Sequence, residues 1–538
     1  MTLLNIFDKL STMSDNKSKT EYANELYSQK KYNEAISIYQ ELIPITDDSQ
    51  WYEKCELYRM LGNAYYALQD FDNAIIAYEH TLNYSTTNDS IYNILGYLYY
   101  YKDIDKAIYY YLKGMEIKPN LKNFVMLTQI MIKNKNYSQK ELKEIFEKYV
   151  DYFRPQILGE NKAFTYEKPY NHNKLRIGYL SSDVHCHTMM SFCLPIFEHH
   201  NLEKFDIYIY ACGQKNDYVT DRIIETGIKY NNCKDLNEYE LATKIHDDEI
   251  DILIDLSGYT HNQIWSLLFK PAPIIGQYLG FLGTYGMKEV DFIIADEFTI
   301  PQSIAQDYTE KPLYINCGMN RFTFNTKNQK LPEITPLPCL TNNYITFGSY
   351  NCMSKLNPYT IDLWSKVLHA VPTSKLLIYR TTLQERDIIR FKKQFTQNNI
   401  EESRVIFKNE SMPINHFQSY LMSDIVLDPC PFGGLSLTIE EAFMGVPTLT
   451  LVGETISAKG SGRVNKAIGL DEFVTYTEDE YVQKAVELSS DINKLNYYRT
   501  NLREIMYNSE LCSNYTTYVN ELENSYLKIW QDYKDANN

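Results

Sequence analysis

The chain has 538 residues, enough for about three or four domains of ordinary length. Its formal net charge of -16 excludes a generic binder of nucleic acids or anionic membranes, because an acidic surface repels both. No apolar run approaches the length of a membrane span, and no signal-peptide core follows Met1. The ten cysteines are scattered without the spacing of a zinc site, so we expect a cytoplasmic protein with reduced thiols.

The N-terminal part contains an internal repeat. Three segments align, beginning at Tyr22, Met60 and Ile94, and each places a small residue where two helices must approach closely. Aromatic and branched residues recur around it at helical spacing, and such a unit is stable only when stacked on its neighbours. The length and pattern resemble tetratricopeptide repeats. We therefore predict an all-α superhelix over residues 17–153, with a degenerate fourth pair of helices at its end.

From residue 171 onward, short apolar runs alternate with helical segments, which predicts parallel strands joined by crossover helices. A proline-rich stretch from Asn325 to Pro338 interrupts this alternation, which then restarts. We predict two Rossmann-like lobes, residues 171–325 and 339–533, with a ligand cleft at the carboxyl ends of their strands. The predicted strands begin near Leu175, Phe205, Ile250, Ile274, Val290, Asn343, Ser374, Ser403, Ser423 and Val446.

The stretch "DPCPFGGLSLTIEEAFMGVPTLT", residues 428–450, contains the first candidate site. Gly433 and Gly434 let the backbone turn closely against a ligand, and a helix that begins near Ser436 presents free N–H groups suited to a diphosphate. Glu440 lies about one turn into that helix, where a carboxylate can accept both hydroxyls of a ribose. The same pattern also fits a plain turn with Ser436 as N-cap and Glu440 in a capping box. The chain has neither a G-x-G-x-x-G after its first strand nor a P-loop motif, so a nicotinamide dehydrogenase and a P-loop nucleotidase are not supported.

Several stretches of the C-terminal two-thirds resemble the protein O-glycosyltransferases of the O-GlcNAc transferase and SPINDLY type. They include "LRIGYLSSDVHCH", "KPAPIIGQYLGFLGTYG", "FGSYNCMSKLNP" and "SDIVLDPCPFGG", and they occur in the family's order behind the repeats. The resemblance implies a GT-B fold and an inverting transfer from a nucleotide sugar to a Ser or Thr hydroxyl of a protein. It also implies no cofactor and no metal, so protein dipoles and a cation must stabilise the departing diphosphate.

The resemblance also assigns roles to individual residues. Lys355 matches the family's essential lysine, which sits against the diphosphate as a point charge. His187 matches the histidine beside the reacting centre, where it either removes the acceptor's proton or orients the substrate. The implied nucleotide-sugar-binding residues are Gly283, Thr284, Asn351, Arg380, His416, Gly433, Gly434, Leu435, Ser436, Leu437, Thr438 and Glu440.

This chain departs from animal O-GlcNAc transferases at several positions. Those enzymes have a His followed by two Thr where this chain reads Leu435-Ser436-Leu437, which removes a phosphate-facing hydroxyl that Thr438 is expected to replace. They also have a cysteine at the position of Phe432, a tyrosine at Ser354 and a lysine at Pro413. The donor is therefore left open between UDP-GlcNAc, which we favour, another UDP-sugar such as UDP-glucose, and GDP-fucose as in SPINDLY.

We expect acceptor proteins to bind along the groove of the repeats, and we expect neither nucleic acid nor membrane as a partner. Two other classes of function stay open. One is a repeat scaffold whose transferase lobes no longer turn over, which the joint presence of Lys355, His187 and Glu440 disfavours. The other is a GT-B transferase acting on lipid or cell-surface sugars, for which the repeats are a less natural addition.

Overall fold

The computed structural model describes residues 13, 15–100, 102–327 and 329–537. The described residues divide into two compact units, one that ends at Ile130 and one that begins at Met131. The first unit is built from helices, and the second contains two parallel β-sheets. The predicted fold class, helical repeats followed by two Rossmann-like lobes, is confirmed.

The first unit consists of helical hairpins whose small residues sit under tyrosine rings. A Cβ atom added to Gly62 would lie 2.7 Å from the ring of Tyr78, and one added to Gly96 would lie 2.8 Å from that of Tyr111. Glycine is therefore required where these helices cross. The helices are α1 (Asn16–Ser28), α2 (Tyr32–Ile45), α3 (Trp51–Ala67), α4 (Phe71–Tyr84), α5 (Asp89–Tyr99), α6 (Ile104–Ile117) and α7 (Leu121–Met131).

The next helix, α8 (Gln139–Leu158), belongs to the second unit, although its sequence was assigned to the repeats. It begins with a capping box, in which Glu141 N–H donates to Ser138 Oγ and Ser138 N–H donates to Glu141 Oε2. Its buried face packs on the first lobe, where the rings of Phe146 and Tyr259 lie 6.3 Å apart. This helix is therefore a packed part of the first lobe.

The first sheet has seven parallel strands in the order β3-β2-β1-β4-β5-β6-β7. The order reverses between β1 and β4, so a crevice opens at the carboxyl ends of these two strands. The strands are β1 (Leu175–Ser181), β2 (Phe205–Ala211), β3 (Lys229–Asn232), β4 (Ile252–Asp255), β5 (Ile274–Gln277), β6 (Phe292–Ala295) and β7 (Lys311–Tyr314). The α-helices among them are α9 (Thr188–Phe197), α10 (Tyr218–Ile224) and α11 (Glu238–Asp247).

The second sheet has six parallel strands in the order β10-β9-β8-β11-β12-β13, and its order reverses between β8 and β11. The strands are β8 (Thr346–Ser349), β9 (Lys375–Tyr379), β10 (Val405–Lys408), β11 (Ile425–Leu427), β12 (Thr448–Leu451) and β13 (Val474–Thr475). The helices are α12 (Cys339–Asn342), α13 (Pro358–Ala370), α14 (Glu385–Gln397), α15 (Ser436–Phe443), α16 (Gly460–Ala467), α17 (Glu478–Ser490), α18 (Ile492–Asn508) and α19 (Tyr515–Asn537).

One continuous apolar core runs through both lobes. The last helix, α19, returns to the first lobe, where Glu523 Oε1 lies 2.9 Å from His200 Nδ1 and His200 Nε2 lies 2.8 Å from the hydroxyl of Tyr179 on β1. All ten cysteines are free thiols, as expected. In the described part of the chain, no helix is both long enough and apolar enough to cross a bilayer.

Candidate active site

Lys355 lies at the point where the second sheet reverses its strand order. It ends a short 3-10 turn, Met353–Lys355, that follows β8. Its Nζ donates to the carbonyl oxygen of Gly433 at 2.6 Å and lies 4.5 Å from the centre of the Phe432 ring. The predicted lysine and the predicted glycine pair are therefore in direct contact at the entrance to α15.

Several charged groups surround Lys355. Loss of hydration lowers its pKa, Cys352 and Asp428 raise it, and the charges of Lys133 and Arg380 lower it again, so that its pKa falls below the usual value. The same cations also act on the pKa of the Cys352 thiol. Burial raises the pKa of Cys352. The charge of Lys355 lowers it, as do a hydrogen bond with Ser354 and the charges of Lys133 and Arg380, so that the pKa falls below its usual value. A group of cations at a strand end is suited to binding an anion.

The glycine loop is held from behind by Asp428, the residue that directly follows β11. Its Oδ1 accepts from Gly434 N–H at 2.9 Å, and its Oδ2 accepts from Thr450 Oγ1 at 2.8 Å. Thr438 Oγ1 donates to Gly434 O at 2.8 Å, the bond that a threonine makes to the carbonyl four residues before it. Thr438 is only 1% exposed. Its hydroxyl therefore shapes the loop from inside, which differs from the expected role of facing a phosphate.

Helix α15 begins at Ser436, as the sequence predicted. Leu435 occupies the N-cap position, and no side chain caps this end. The alternative with Ser436 as N-cap and Glu440 in a capping box is therefore not the arrangement found. Since the first amides of any helix lack partners within the helix, the N–H groups of Ser436 and Leu437 are left for other acceptors.

Glu440 lies one turn further along α15 and is fixed by two side chains. The Tyr420 hydroxyl donates to Glu440 Oε2 at 2.6 Å, and His416 Nε2 lies 3.1 Å from the same oxygen. Both partners come from one 3-10 segment, His416–Met422, that precedes β11. The Glu440 side chain stays 20% exposed, so a solvent-facing carboxylate with a set orientation results.

Asn351 and Arg380 flank the same loop at the ends of β8 and β9. Asn351 Oδ1 is buried and has no hydrogen-bond partner among the described residues, and it would lie 3.6 Å from a Cβ atom on Gly434. Arg380 Nη1 donates to the carbonyl of Tyr350 at 3.0 Å, which holds the guanidinium beside Asn351. A buried acceptor without a partner is unfavourable by about 1–3 kcal/mol, and a ligand that donates a hydrogen bond removes that penalty.

His187 lies at the corresponding position of the first sheet, after β1. Its Nδ1 accepts from Met189 N–H at 3.3 Å as the N-cap of α9, and it lies 3.7 Å from Asp183 Oδ2. On the other side, His261 Nε2 lies 3.9 Å from Asp183 Oδ1. Partial loss of hydration lowers the pKa of His187, Asp183 raises it, and His185 and His261 lower it, for a net decrease.

A neutral His187 that accepts at Nδ1 carries its proton on Nε2, so that Nε2 is a hydrogen-bond donor. Neither this cluster nor any other in the described ranges brings three His, Cys, Asp or Glu side chains together as a metal site.

The loop that contains Gly283 and Thr284 joins β5 to β6 and is supported by a buried carboxylate. Glu310 Oε2 accepts from Thr284 Oγ1 at 2.7 Å, and Glu310 Oε1 accepts from Tyr285 N–H at 2.7 Å. The Tyr285 hydroxyl donates in turn to Asp255 Oδ2 at 2.7 Å. Burial raises the pKa of Glu310 to about 7, even though these hydrogen bonds lower it. The Thr284 side chain is thus used to hold the loop, and the whole residue is only 1% exposed.

Glu310→Gln should flatten the dependence of stability on pH. The folded protein keeps the Glu310 proton up to about pH 7, whereas the unfolded chain loses it near its usual pKa of 4.5. The folded state therefore binds more protons in this window, and this group makes stability fall as pH rises from about 4.5 to about 7. Glutamine cannot ionise, so the variant should lose less in Tm than the wild type between pH 5 and pH 8.

Thermal unfolding followed at half-unit pH steps measures this difference. Other buried acids, such as Asp255, are common to both proteins and cancel in the comparison. Glu167→Gln, at an exposed glutamate, is the control and should follow the wild-type curve. Parallel curves for the wild type and Glu310→Gln would show that Glu310 does not titrate in this range.

Sequence reasoning missed several residues that shape these sites. Asp428 could have been found, because an acidic residue directly after a buried strand is a recognised signal at the edge of a parallel sheet. Tyr420, Glu310 and His261 carry no such signal, since each acts through a partner distant in sequence. Lys133 lies outside every stretch that resembles the family.

The profile of glycosyl transferase family 41 matches residues 149–335 and again residues 336–522. The chain belongs to glycosyl transferase family 41. Both family 41 segments include the structural elements described above, with His187 in the first and Lys355 and Glu440 in the second.

Curated relatives include plant proteins named probable UDP-N-acetylglucosamine–peptide N-acetylglucosaminyltransferase SPINDLY. The tomato protein (Solanum lycopersicum) is 29% identical over 393 residues, which are 71% of this chain and 41% of the relative. The Arabidopsis thaliana protein is 29% identical over 417 residues, 74% of this chain and 44% of the relative. The family 41 chain described here thus spans less than half the length of these relatives.

Among solved structures, a mutant of Thermobaculum terrenum O-GlcNAc transferase superposes with a TM-score of 0.75 and 22% sequence identity. The superposition covers 97% of this chain and 100% of the other. The two proteins share the fold, a helical N-terminal region followed by the two lobes of a GT-B architecture.

Proposed function

We propose that the protein transfers a sugar from a nucleotide-diphosphate sugar to Ser or Thr hydroxyls of other proteins. The observation that supports this most directly is the pairing of two features on α15. The Lys355 ammonium contacts Gly433 O at its entrance, and Glu440 is fixed one turn further along by Tyr420 and His416. The first feature suits a diphosphate and the second a ribose. Membership of family 41 supports the same reaction class.

In the proposed reaction, the acceptor oxygen attacks the anomeric carbon from the face opposite the diphosphate, and the configuration inverts. The bond between that carbon and the phosphate oxygen breaks, its electron pair leaves with the diphosphate, and the proton of the attacking hydroxyl passes to a phosphate oxygen of that leaving group. Lys355, Arg380 and the first amides of α15 stabilise this charge, so we propose that no metal is required. His187 donates from Nε2 and orients the substrate.

We further propose that acceptor proteins dock on the repeats and that the protein acts in the cytoplasm. Exposed aromatic side chains on the first unit offer apolar contacts for such a partner. They are Trp51, Tyr52, Tyr66, Tyr97 and Tyr109.

For the donor we favour UDP-GlcNAc, because the plant relatives are named for that substrate. GDP-fucose is the alternative, since the segment Leu435–Leu437 departs from the animal enzymes at the phosphate.

Nucleotide-dependent thermal stability tests the proposal and separates the donors. A ligand at 100 times its dissociation constant stabilises a protein by about 2.7 kcal/mol, which raises Tm measurably. We expect millimolar UDP to raise Tm, GDP to raise it less, and ADP to leave it unchanged. A larger effect of GDP than of UDP would make GDP-fucose the favoured donor. If neither nucleotide changes Tm, the proposed nucleotide site is refuted.

Transfer itself is read by intact-mass analysis. The protein is incubated with UDP-GlcNAc or GDP-fucose and an acceptor protein fraction, and the added mass identifies an N-acetylhexosamine or a deoxyhexose. Absence of any added mass with either donor, in a protein that binds the nucleotide, would favour the scaffold alternative.

A further inference from the structure

The segment between α7 and α8, residues 132–138, is fixed against both lobes. The Ser457 hydroxyl of the second lobe donates to the carbonyl of Ile132 at 2.8 Å. Ile132 Cγ2 would lie 3.1 Å from a Cβ atom on Gly283, in the loop of the first lobe predicted to hold the sugar. Ile132 and Asn134 are only 6% exposed. Because the residues on both sides of Lys133 are buried, the start of its side chain has a defined position.

Lys133 extends from this segment to the aromatic ring that Lys355 also approaches. Its Nζ lies 5.8 Å from the centre of the Phe432 ring, and Lys355 Nζ lies 4.5 Å from the same centre. Phe432 directly precedes the glycine loop that opens α15. Two ammonium groups are thus gathered at one ring, beside the loop and helix end already described.

The electrostatic surroundings agree with the geometry. The positive charge of Lys133 lowers the pKa of both Lys355 and Cys352, and Arg380 acts on both in the same direction. Cations held this close repel each other, and a bound anion would relieve that repulsion. A diphosphate carries charge on two phosphoryl groups and so can use more than one cation at once.

We propose that Lys133 is a further donor-binding residue, which contacts the diphosphate of the nucleotide sugar together with Lys355. The inference rests on the proposed function and adds to it a residue from outside the two Rossmann-like lobes. It makes the segment after α7 a third wall of the donor site, beside the Gly283 loop and the Phe432–Gly434 loop.

The test compares the binding of nucleotides with and without phosphates by titration calorimetry. Lys133→Met removes the charge and keeps the length of the side chain, so it should weaken binding of UDP, or of GDP if that is the nucleotide bound, roughly tenfold. Uridine or guanosine should bind as in the wild type, because neither carries a phosphate. Lys133→Arg should restore most of the affinity, since it restores the charge.

Lys135→Met is the matched control. Lys135 lies in the same segment, but its Nζ is 3.4 Å from the centre of the Tyr359 ring rather than at Phe432. We expect this variant to bind the diphosphate like the wild type. Unchanged diphosphate binding in Lys133→Met, or an equal loss for the nucleoside, would overturn the inference. A wild type that binds neither UDP nor GDP would instead overturn the proposed function.

If Lys133→Met lowers Tm in the absence of nucleotide, the comparison moves to Lys133→Arg and Lys133→Gln. The proposal then requires that the glutamine variant bind the diphosphate roughly tenfold more weakly than the arginine variant. Equal affinities of these two variants would overturn it.

Discussion

Lys355→Met should reduce sugar transfer at least a hundredfold, on the scale of losing one preorganised group that stabilises charge in a transition state. The Lys355 ammonium donates a hydrogen bond to Gly433 O at 2.6 Å and so lies directly on the glycine loop. Methionine fills a similar volume without charge, so the departing diphosphate would lose its principal cation. The variant should also bind UDP or GDP more weakly, and both losses are measured by transfer assay and calorimetry.

Lys375→Met provides the matched control. Lys375 belongs to the same lobe and also lies near an aromatic ring, 4.8 Å from that of Tyr344, but it begins β9 at the amino edge of the sheet, away from the carboxyl-end crevice. It should retain full transfer. If Lys355→Met transfers sugar at the wild-type rate, the site has been misidentified. If it loses transfer while still binding partner proteins and preserving their regulation, the scaffold class of function gains support.

Gly280→Ala should destabilise the second unit by on the order of 3 kcal/mol and remove activity with it. A Cβ atom on Gly280 would lie 1.8 Å from the carbonyl oxygen of Leu256 and 2.7 Å from its carbonyl carbon. The Leu256 backbone cannot retreat freely, because its N–H donates to Leu180 O in the sheet at 2.9 Å. The loop that contains Gly283 begins here, so displacement of Gly280 moves that loop as well.

Thermal unfolding and transfer assays on the same preparation test this expectation. Gly460→Ala is the comparison variant, since its new Cβ atom would meet nothing closer than Leu435 Cβ at 3.4 Å, an ordinary contact. Gly460 begins α16, where alanine is tolerated or mildly stabilising. A wild-type Tm for Gly280→Ala would mean that the loop after β5 can shift without loss of packing.

The sequence predicted the strands that lie inside the sheets better than those at the edges. All five predicted strands in each lobe are present. Nine of these ten lie inside their sheets, where a strand covered on both faces is a continuous apolar run, and β10 is an edge strand. The strands that were missed, β3, β7 and β13, are the outermost strands at one or both ends of their sheets. β3 is the polar run Lys229–Asn232, β7 contains Pro312, and β13 is only two residues long.

The candidate site shows the same division between local and distant information. The beginning of α15 could be read from the glycines and the hydroxyl residue that follow a buried strand. The roles of Thr438 and Thr284 could not be predicted, because each hydroxyl donates to an acceptor inside the protein. Thr438 donates to Gly434 O, and Thr284 donates to Glu310. Their residue types suggest a ligand contact, and only the tertiary structure shows that each bond is already made.

The position of α8 determines where an isolated catalytic fragment can begin. A protein shortened to residue 171, the start of the predicted first lobe, would lack the entire helix Gln139–Leu158. It would uncover the surface that Phe146 packs against, and it would also lack Ile132, whose carbonyl accepts from Ser457. A soluble, nucleotide-binding truncation should therefore start at or before Met131, so that deletion of the repeats does not also remove one wall of the enzyme.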